Sequence, residues 1–94
     1  MSEKPIRYTK HLRERLAERE IGEELPQETI RGAEQYLDDT ATGYRIAVAR
    51  KIYLGRPRLM MVAFEENENE IVAVTIHPMD DGDLEAKLRS GRWK

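Results

Sequence analysis

The most constraining feature of this chain is a change of hydrophobic period in its central third. Apolar and polar residues alternate in "YRIAVARKIY" (44–53) and in "EIVAVTIHP" (70–78), which is typical of β-strands with two unlike faces. Between them "RLMMVAFE" (58–65) is apolar on both faces, which predicts a central strand. The region therefore predicts an antiparallel meander of three strands, or of four if "QYLDDTA" (35–41) is counted.

Two helices are predicted before the meander. The hydroxyl of Thr9 is expected to cap a helix over about 10–20, whose leucines form one apolar stripe. Gly22 is expected to end this helix by adopting a positive φ. A second helix is predicted over about 23–32, with Pro26 in its first turn, where proline costs no helical hydrogen bond.

The C-terminal part, "MDDGDLEAKLRSGRWK" (79–94), predicts a loop and a final short helix. Asp81 or Asp83 is the expected N-cap, because an aspartate side chain accepts from the free amides of the first turn. Gly91 is expected to end the helix, and Trp93 is expected to pack back on the body of the domain.

The predicted fold class is α+β, with two N-terminal helices packed on a three- to four-stranded antiparallel meander sheet and a short C-terminal helix. The larger apolar side chains of the strands are expected to form the face under the helices. They are Ile46, Val48, Ile52, Met60, Val62, Phe64, Val72, Val74 and Ile76. The opposite face would then carry Ala47, Ala49, Ala63, Ala73 and Thr75, with Arg45, Lys51, Tyr53 and His77 at its border.

Two explanations fit such a small-residue face. In the first, the C-terminal helix or a partner subunit covers it, because small side chains let another backbone approach closely. In the second, the face is a shallow floor whose cationic border binds an anion, since arginine pairs with phosphate through two hydrogen bonds and lysine acts as a point charge.

Composition excludes several classes of protein. The 94 residues fit one domain (1–94), and the absence of cysteine excludes disulfide frameworks and thiolate sites and fits a cytoplasmic location. No segment approaches the length of an apolar membrane span, so no membrane partner is expected. The two histidines lack metal-ligand spacing, and nucleotide-binding glycine motifs are missing, so neither a metal nor a cofactor is expected.

The charges are unevenly distributed along the chain. The formal net charge of −2 counts against a dedicated non-specific nucleic-acid binder. Residues 44–58 nevertheless contain five cations and no acid, whereas residues 65–70 contain four glutamates and no base. Arg45, Lys51 and Arg58 are therefore candidate phosphate-binding residues, together with Thr75 on the sheet.

His11, Arg15 and His77 are the candidate catalytic residues. His11 and Arg15 are one helical turn apart, so an imidazole that titrates near neutrality would stand beside a guanidinium that stabilises phosphate charge. His77 could supply the second acid or base. The alternatives are a structural helix histidine with arginines that pair with neighbouring glutamates, and a strand-end histidine that bonds a backbone carbonyl.

Three stretches resemble the DUF4258 family: "RYTKHLRERLAEREIGEEL", "RLMMVAFEENENEIVAVTIHP" and "DDTATGYRIAV". That family is similar to the BrnT toxins and, more remotely, to RelE-like ribonuclease toxins. The resemblance implies N-terminal helices on a curved antiparallel sheet. It also implies an RNA site surrounded by His11, Arg15, Arg45, Thr75 and His77, and an antitoxin-like protein partner.

Two functions are therefore expected from different classes. The first is a RelE/BrnT-like toxin-module ribonuclease that needs no metal, or a degenerate relative that binds RNA. The second is a non-catalytic protein–protein interaction module, or a homodimer, that uses the small-residue sheet face.

Overall fold

The computed structural model describes residues 4–94, which form three helices and five strands. The elements are β1 (Ile6–Tyr8), α1 (Lys10–Glu18), α2 (Leu25–Arg31), β2 (Gln35–Asp38), β3 (Arg45–Tyr53), β4 (Arg56–Glu66), β5 (Ile71–Met79) and α3 (Asp81–Arg89). They confirm the α+β class and the antiparallel meander of the central segments. None of the helices in the described part of the chain is long and apolar enough to cross a membrane.

The strands form one mixed sheet in the order β1-β5-β4-β3-β2. The three meander strands and β2 pair antiparallel, and β4 lies at the centre, as its two apolar faces predict. The fifth strand, β1, was not predicted, because three residues are too few to show a period. It pairs parallel with the start of β5, from Ile6 opposite Ile71 to Tyr8 opposite Ala73.

Both faces of the sheet are buried, and this overturns the predicted core row. The face packed against α1 and α2, here the helix face, contributes Ala47, Met60, Val62, Phe64, Ala73 and Ile76 to one core cluster. The other face, here the Trp93 face, contributes Ile46, Val48, Leu59, Met61, Ala63 and Met79 to a second cluster with Trp93. The predicted packing of Trp93 on the body is thereby confirmed.

The error has a physical cause in the register. Ile46 pairs with Ala63 and Ala47 with Val62, so the large side chain of each pair lies opposite a small one. A β-bulge in β5 leaves Val74 without a partner on β4, whereas Ala73 and Thr75 on either side of it are paired. The extra residue moves the side chains that follow it to the opposite faces from those that the alternation predicts. The expected small-residue face is therefore wrong. Ala47 and Ala73 are fully buried beneath the chain's own helices.

The helix ends differ in detail from the predictions. Thr9 caps α1 as expected, with its hydroxyl accepting from the amide of Leu12 at 3.1 Å. The left-handed residue after α1 is Glu20, with φ 54°, and not Gly22. The amide of Ile21 donates to the carbonyl of Leu16 at 2.9 Å, the 6→1 bond of a Schellman motif, which requires the left-handed residue at position 20.

The two later helices were also predicted, but their ends differ by a few residues from the predicted ones. Pro26 lies in the first turn of α2, as predicted. The N-cap of α3 is Asp80, one residue before the expected Asp81, and Asp83 completes a capping box by accepting from the Asp80 amide at 3.3 Å.

Candidate functional site

A two-stranded ribbon projects from the sheet at the β3–β4 turn. The ladder between β2 and β3 ends at Gln35 and Val48, and the ladder between β4 and β5 ends at Leu59 and Met79. Residues 50–58, here the basic ribbon, therefore have strand partners only within the β3–β4 ladder. Beyond the β3–β4 ladder, the Arg50 amide at the base of the ribbon donates to the Glu34 carboxylate at 3.0 Å.

The basic ribbon carries three cations on one face. Lys51 is directly opposite Arg58, and Tyr53 is directly opposite Arg56, so alternation places all four side chains on the helix-face side. None of these cations has a carboxylate within 4.0 Å among residues 4–94. On the opposite side Arg50 bonds Asp81 at 2.7 Å. The unpaired cations are thus concentrated on a single face.

The tip of the ribbon is apolar and strained. Leu54 and Gly55 form the two-residue turn with φ values of 51° and 76°, as a type I′ turn requires. Such a turn favours Asn-Gly, because a bulky side chain at positive φ is rare and costly. Leu54 is 63% exposed and Ile52 is 67% exposed, so neither is held there by packing. Strain of this kind points to contact with another molecule.

Arg45, the third predicted phosphate-binding cation, lies apart from the ribbon. It starts β3, six residues before Lys51, which corresponds to roughly 20 Å along a strand. Its guanidinium pairs with Asp38 at 3.5 Å and lies over the ring of Tyr36 at 5.8 Å. The structure therefore brings Lys51 and Arg58 together and leaves Arg45 at the other end of the strand.

The candidate residues on α1 are on its solvent side. His11 is exposed and makes no hydrogen bond or ion pair within residues 4–94. Arg15 bonds Glu18 at 2.7 Å, which matches the alternative in which the helix arginines pair with neighbouring glutamates. Leu12 and Leu16, each the next residue after one of these two, are the residues that α1 buries against the helix face.

His77 and Thr75 lie on the Trp93 face, which α1 does not cover. Their partners on β4 are Met61 and Ala63, both members of the Trp93-face cluster. The Nδ1 atom of His77 is 3.1 Å from the carbonyl of Pro78, as expected for a strand-end histidine bonded to a backbone carbonyl. Because a carbonyl only accepts, Nδ1 carries the proton and Nε2 of the neutral ring is an acceptor. The sheet separates this ring from α1 and His11.

A cleft of about 380 Å³ lies on the Trp93 face beside His77. Its lining combines the ends of β4 and β5, one side of α3, and the last residues of the chain. The residues that line it are Asp39, Met61, His77, Pro78, Met79, Asp83, Ala86, Lys87, Arg92 and Trp93. No group of three potential metal-ligating side chains occurs in the described structure.

A buried ion pair supports one wall of the cleft. The carboxylate of Asp39 is 7% exposed and accepts from Arg92 Nε at 2.7 Å and from its terminal nitrogen at 3.2 Å. The hydrogen bond from Arg92 is the main reason that the pKa of Asp39 lies well below its usual range, and the Ala41 and Thr42 amides add to it. Arg92 and Asp39 are 53 positions apart, so no local sequence pattern indicated this pair.

The C-terminal segment closes the same wall. Backbone hydrogen bonds join Lys94 to Asp38 in both directions, at 2.9 and 3.4 Å, and join the Thr40 amide to the Arg92 carbonyl at 2.8 Å. Trp93 is 3% exposed, and its indole Nε1–H has no acceptor among the described residues. An unpaired buried donor costs about 1–3 kcal/mol.

The chain matches no protein-family model, no curated protein and no solved structure in the comparisons made. The resemblance to DUF4258 therefore stays a prediction, and the function is inferred from the geometry described above.

Proposed function

We propose that this protein binds single-stranded RNA through the basic ribbon, residues 50–58. The observation that carries the proposal is the pair Lys51 and Arg58, which lie directly opposite each other without a carboxylate partner among residues 4–94. Like charges in directly opposed positions destabilise a sheet. A phosphate group bound between them would remove that repulsion and use the bidentate geometry of arginine.

Arg56 extends the phosphate-binding face toward the tip. It is two residues before Arg58 on the same strand and the same side, which corresponds to about 7 Å. The three cations in this row could contact successive phosphate groups of one flexible RNA strand. Tyr53 keeps its place in the row because its hydroxyl donates to the Arg19 carbonyl at 2.7 Å, and this contact ties the ribbon to the end of α1.

The exposed tip favours a single strand over a duplex. Unstacked bases offer apolar faces, and proteins that bind single strands combine a positive surface with side chains that pack on those faces. Leu54, at the tip, is the exposed apolar side chain that follows the row of unpaired cations, whereas Ile52 lies on the opposite face of the ribbon with its partner Pro57. In a duplex the base faces are stacked and would leave the Leu54 side chain in water.

The overall negative charge is compatible with this function because the charges are segregated. Arg56 and Arg58 begin β4, whereas Glu65 and Glu66 end it, about 30 Å further along the strand. The acidic end would repel phosphate, so RNA would approach the ribbon end of the molecule.

Cleavage is not part of the proposal. A cleavage site needs an acid and a base on either side of one phosphate. His77 lies on the Trp93 face, and His11 is on the exposed side of α1, above the helix face. We therefore expect bound RNA to remain intact, and electrophoresis of the RNA after the binding assay checks this expectation.

The test is fluorescence anisotropy with a labelled, unstructured RNA of about 12 nucleotides. The double variant K51Q/R58Q removes two charges from the ribbon. The matched control K10Q/R89Q removes two charges from exposed helix positions and gives the same net charge. We expect the ribbon variant to bind about tenfold more weakly or worse, and the control to bind like the wild type. Equal weakening of both variants, or no binding by the wild type, would refute the proposal.

A further inference from the structure

We propose that the cleft beside Trp93 is a binding site for a small aromatic carboxylate. This inference concerns the Trp93 face of the sheet and is independent of RNA binding by the ribbon, so either proposal can fail without the other. The cleft volume of about 380 Å³ lies at the lower end of the range of small-molecule sites.

The apolar part of the lining suits a planar ring. Met61 and Met79 come from the Trp93-face cluster, and Pro78 and Ala86 add flat or small surfaces. Methionine sulfur and methyl groups make favourable contacts with aromatic rings and adapt to their outline. A ligand body of one ring is therefore the best match to this part of the wall.

The charged part of the lining suits one negative group. The ammonium of Lys87 lies 5.8 Å from the centre of the Trp93 ring and has no carboxylate within 4.0 Å among the described residues. Of the other charged side chains in the lining, Arg92 and Asp39 neutralise each other, whereas Asp83 keeps its negative charge. Arg92 is bonded to Asp39, and Asp83 accepts the amide of Asp80 in the capping box. Lys87 is thus the cation that remains for a ligand.

The ring of Trp93, over which the Lys87 ammonium lies, forms part of the cleft wall. Its indole Nε1–H is buried and has no acceptor among the described residues, so its NMR signal reports on this part of the wall. A neutral ligand of the same shape would lack the attraction to Lys87 and would bind less well.

The protein contains one tryptophan, so its indole N–H gives a single, assigned signal in a proton–nitrogen NMR spectrum. Titration with benzoate should shift this signal along a saturable curve. Benzamide keeps the ring and the oxygen but not the charge, and acetate keeps the charge but not the ring. We expect both to bind at least about fivefold more weakly than benzoate.

The variant K87M keeps the aliphatic stem and removes the charge, and R89M is the matched control on the outer side of the same helix. K87M should weaken benzoate binding about tenfold while R89M leaves it unchanged. A shift that does not saturate, equal affinity for benzoate and benzamide, or equal affinity of K87M and the wild type would overturn the proposal.

Discussion

Lys51 and Arg58 are directly opposed in the β3–β4 ladder, and no acid separates or neutralises them among residues 4–94. An opposed pair of like charges lowers the stability of a sheet by a few tenths of a kcal/mol up to about 1 kcal/mol. The ribbon therefore keeps an arrangement that is unfavourable for folding, as is typical of residues that serve binding.

The first prediction follows from this repulsion. R58T should raise the free energy of unfolding by roughly 0.3–1 kcal/mol, because it removes the like charge and places a residue with high strand propensity. Urea denaturation measures the change. The control is R56T, whose partner is the neutral Tyr53, and it should change stability less. If R58T destabilises the protein, the pair does not repel in the folded state.

The second prediction concerns the left-handed residue after α1. E20G should stabilise the protein by about 1 kcal/mol, because Glu20 has φ 54° and glycine adopts this conformation without steric cost. The comparison is G22A, where φ is not in the left-handed region and the added Cβ would meet only the mobile carboxylate of Glu24 at 3.0 Å. Thermal unfolding of both variants measures the two changes in stability. Strong destabilisation by G22A with no gain in E20G would contradict the described helix end.

The third prediction concerns the ion pair of Asp39 and Arg92. R92M should lower the free energy of unfolding by about 2 kcal/mol, because it leaves a buried carboxylate without its charged donor. The estimate lies below that for a fully buried pair, since the Arg92 side chain is 39% exposed. R89M, which removes an arginine 3.9 Å from Glu85 on the surface, should cost less than about 0.5 kcal/mol.

The same pair predicts a pH dependence. The pKa of Asp39 is lower in the folded protein than in the unfolded chain, so the unfolded chain binds more protons as the pH falls. The stabilisation is therefore complete above about pH 5 and is lost progressively at more acid pH. In R92M the unfolding free energy should depend less on pH below about 5. Identical acid profiles of R92M and the wild type would show that Arg92 does not hold the pKa of Asp39 down.

The fourth prediction concerns the C-terminal segment. W93A should cost about 3–5 kcal/mol, because the side chain is 3% exposed and packs in the Trp93-face cluster. L88A is the control, since Leu88 is 40% exposed on the neighbouring helix and should cost less than about 1 kcal/mol. Guanidinium denaturation followed by circular dichroism compares the two. Similar losses of unfolding free energy in both variants would mean that the Trp93 side chain is not packed in the core of this face.

The sequence predicted the strands but not the faces they present. In β3 the neighbours Ile46 and Ala47 are both buried, and in β4 Met60 and Met61 are both buried. Because both faces of each strand are buried, the alternation of residues does not show which face packs against the helices. The bulge at Val74 then reverses the alternation within β5. Which residue pairs across a turn is decided by the register of the whole ladder, and no local pattern reports it.

The basic ribbon, like the fold, could be predicted from the sequence only in part. The acid-free run of cations in 44–58 identified Lys51 and Arg58 as a pair of candidates, but not the distance of Arg45 from them. That the ribbon projects depends on where β2 and β5 end, which is a tertiary property. The partnership of Asp39 and Arg92 joins residues 53 positions apart and left no local signal either.

The salt dependence of RNA binding tests the central claim most directly. Each phosphate contact made by a lysine or arginine contributes about 0.7 to the slope of log affinity against log salt concentration for a single strand. K51Q/R58Q should therefore reduce the slope of the wild type by about 1.4, while K10Q/R89Q should leave it unchanged. An unaltered slope in K51Q/R58Q would contradict the account, because Lys51 and Arg58 would then not contact phosphate.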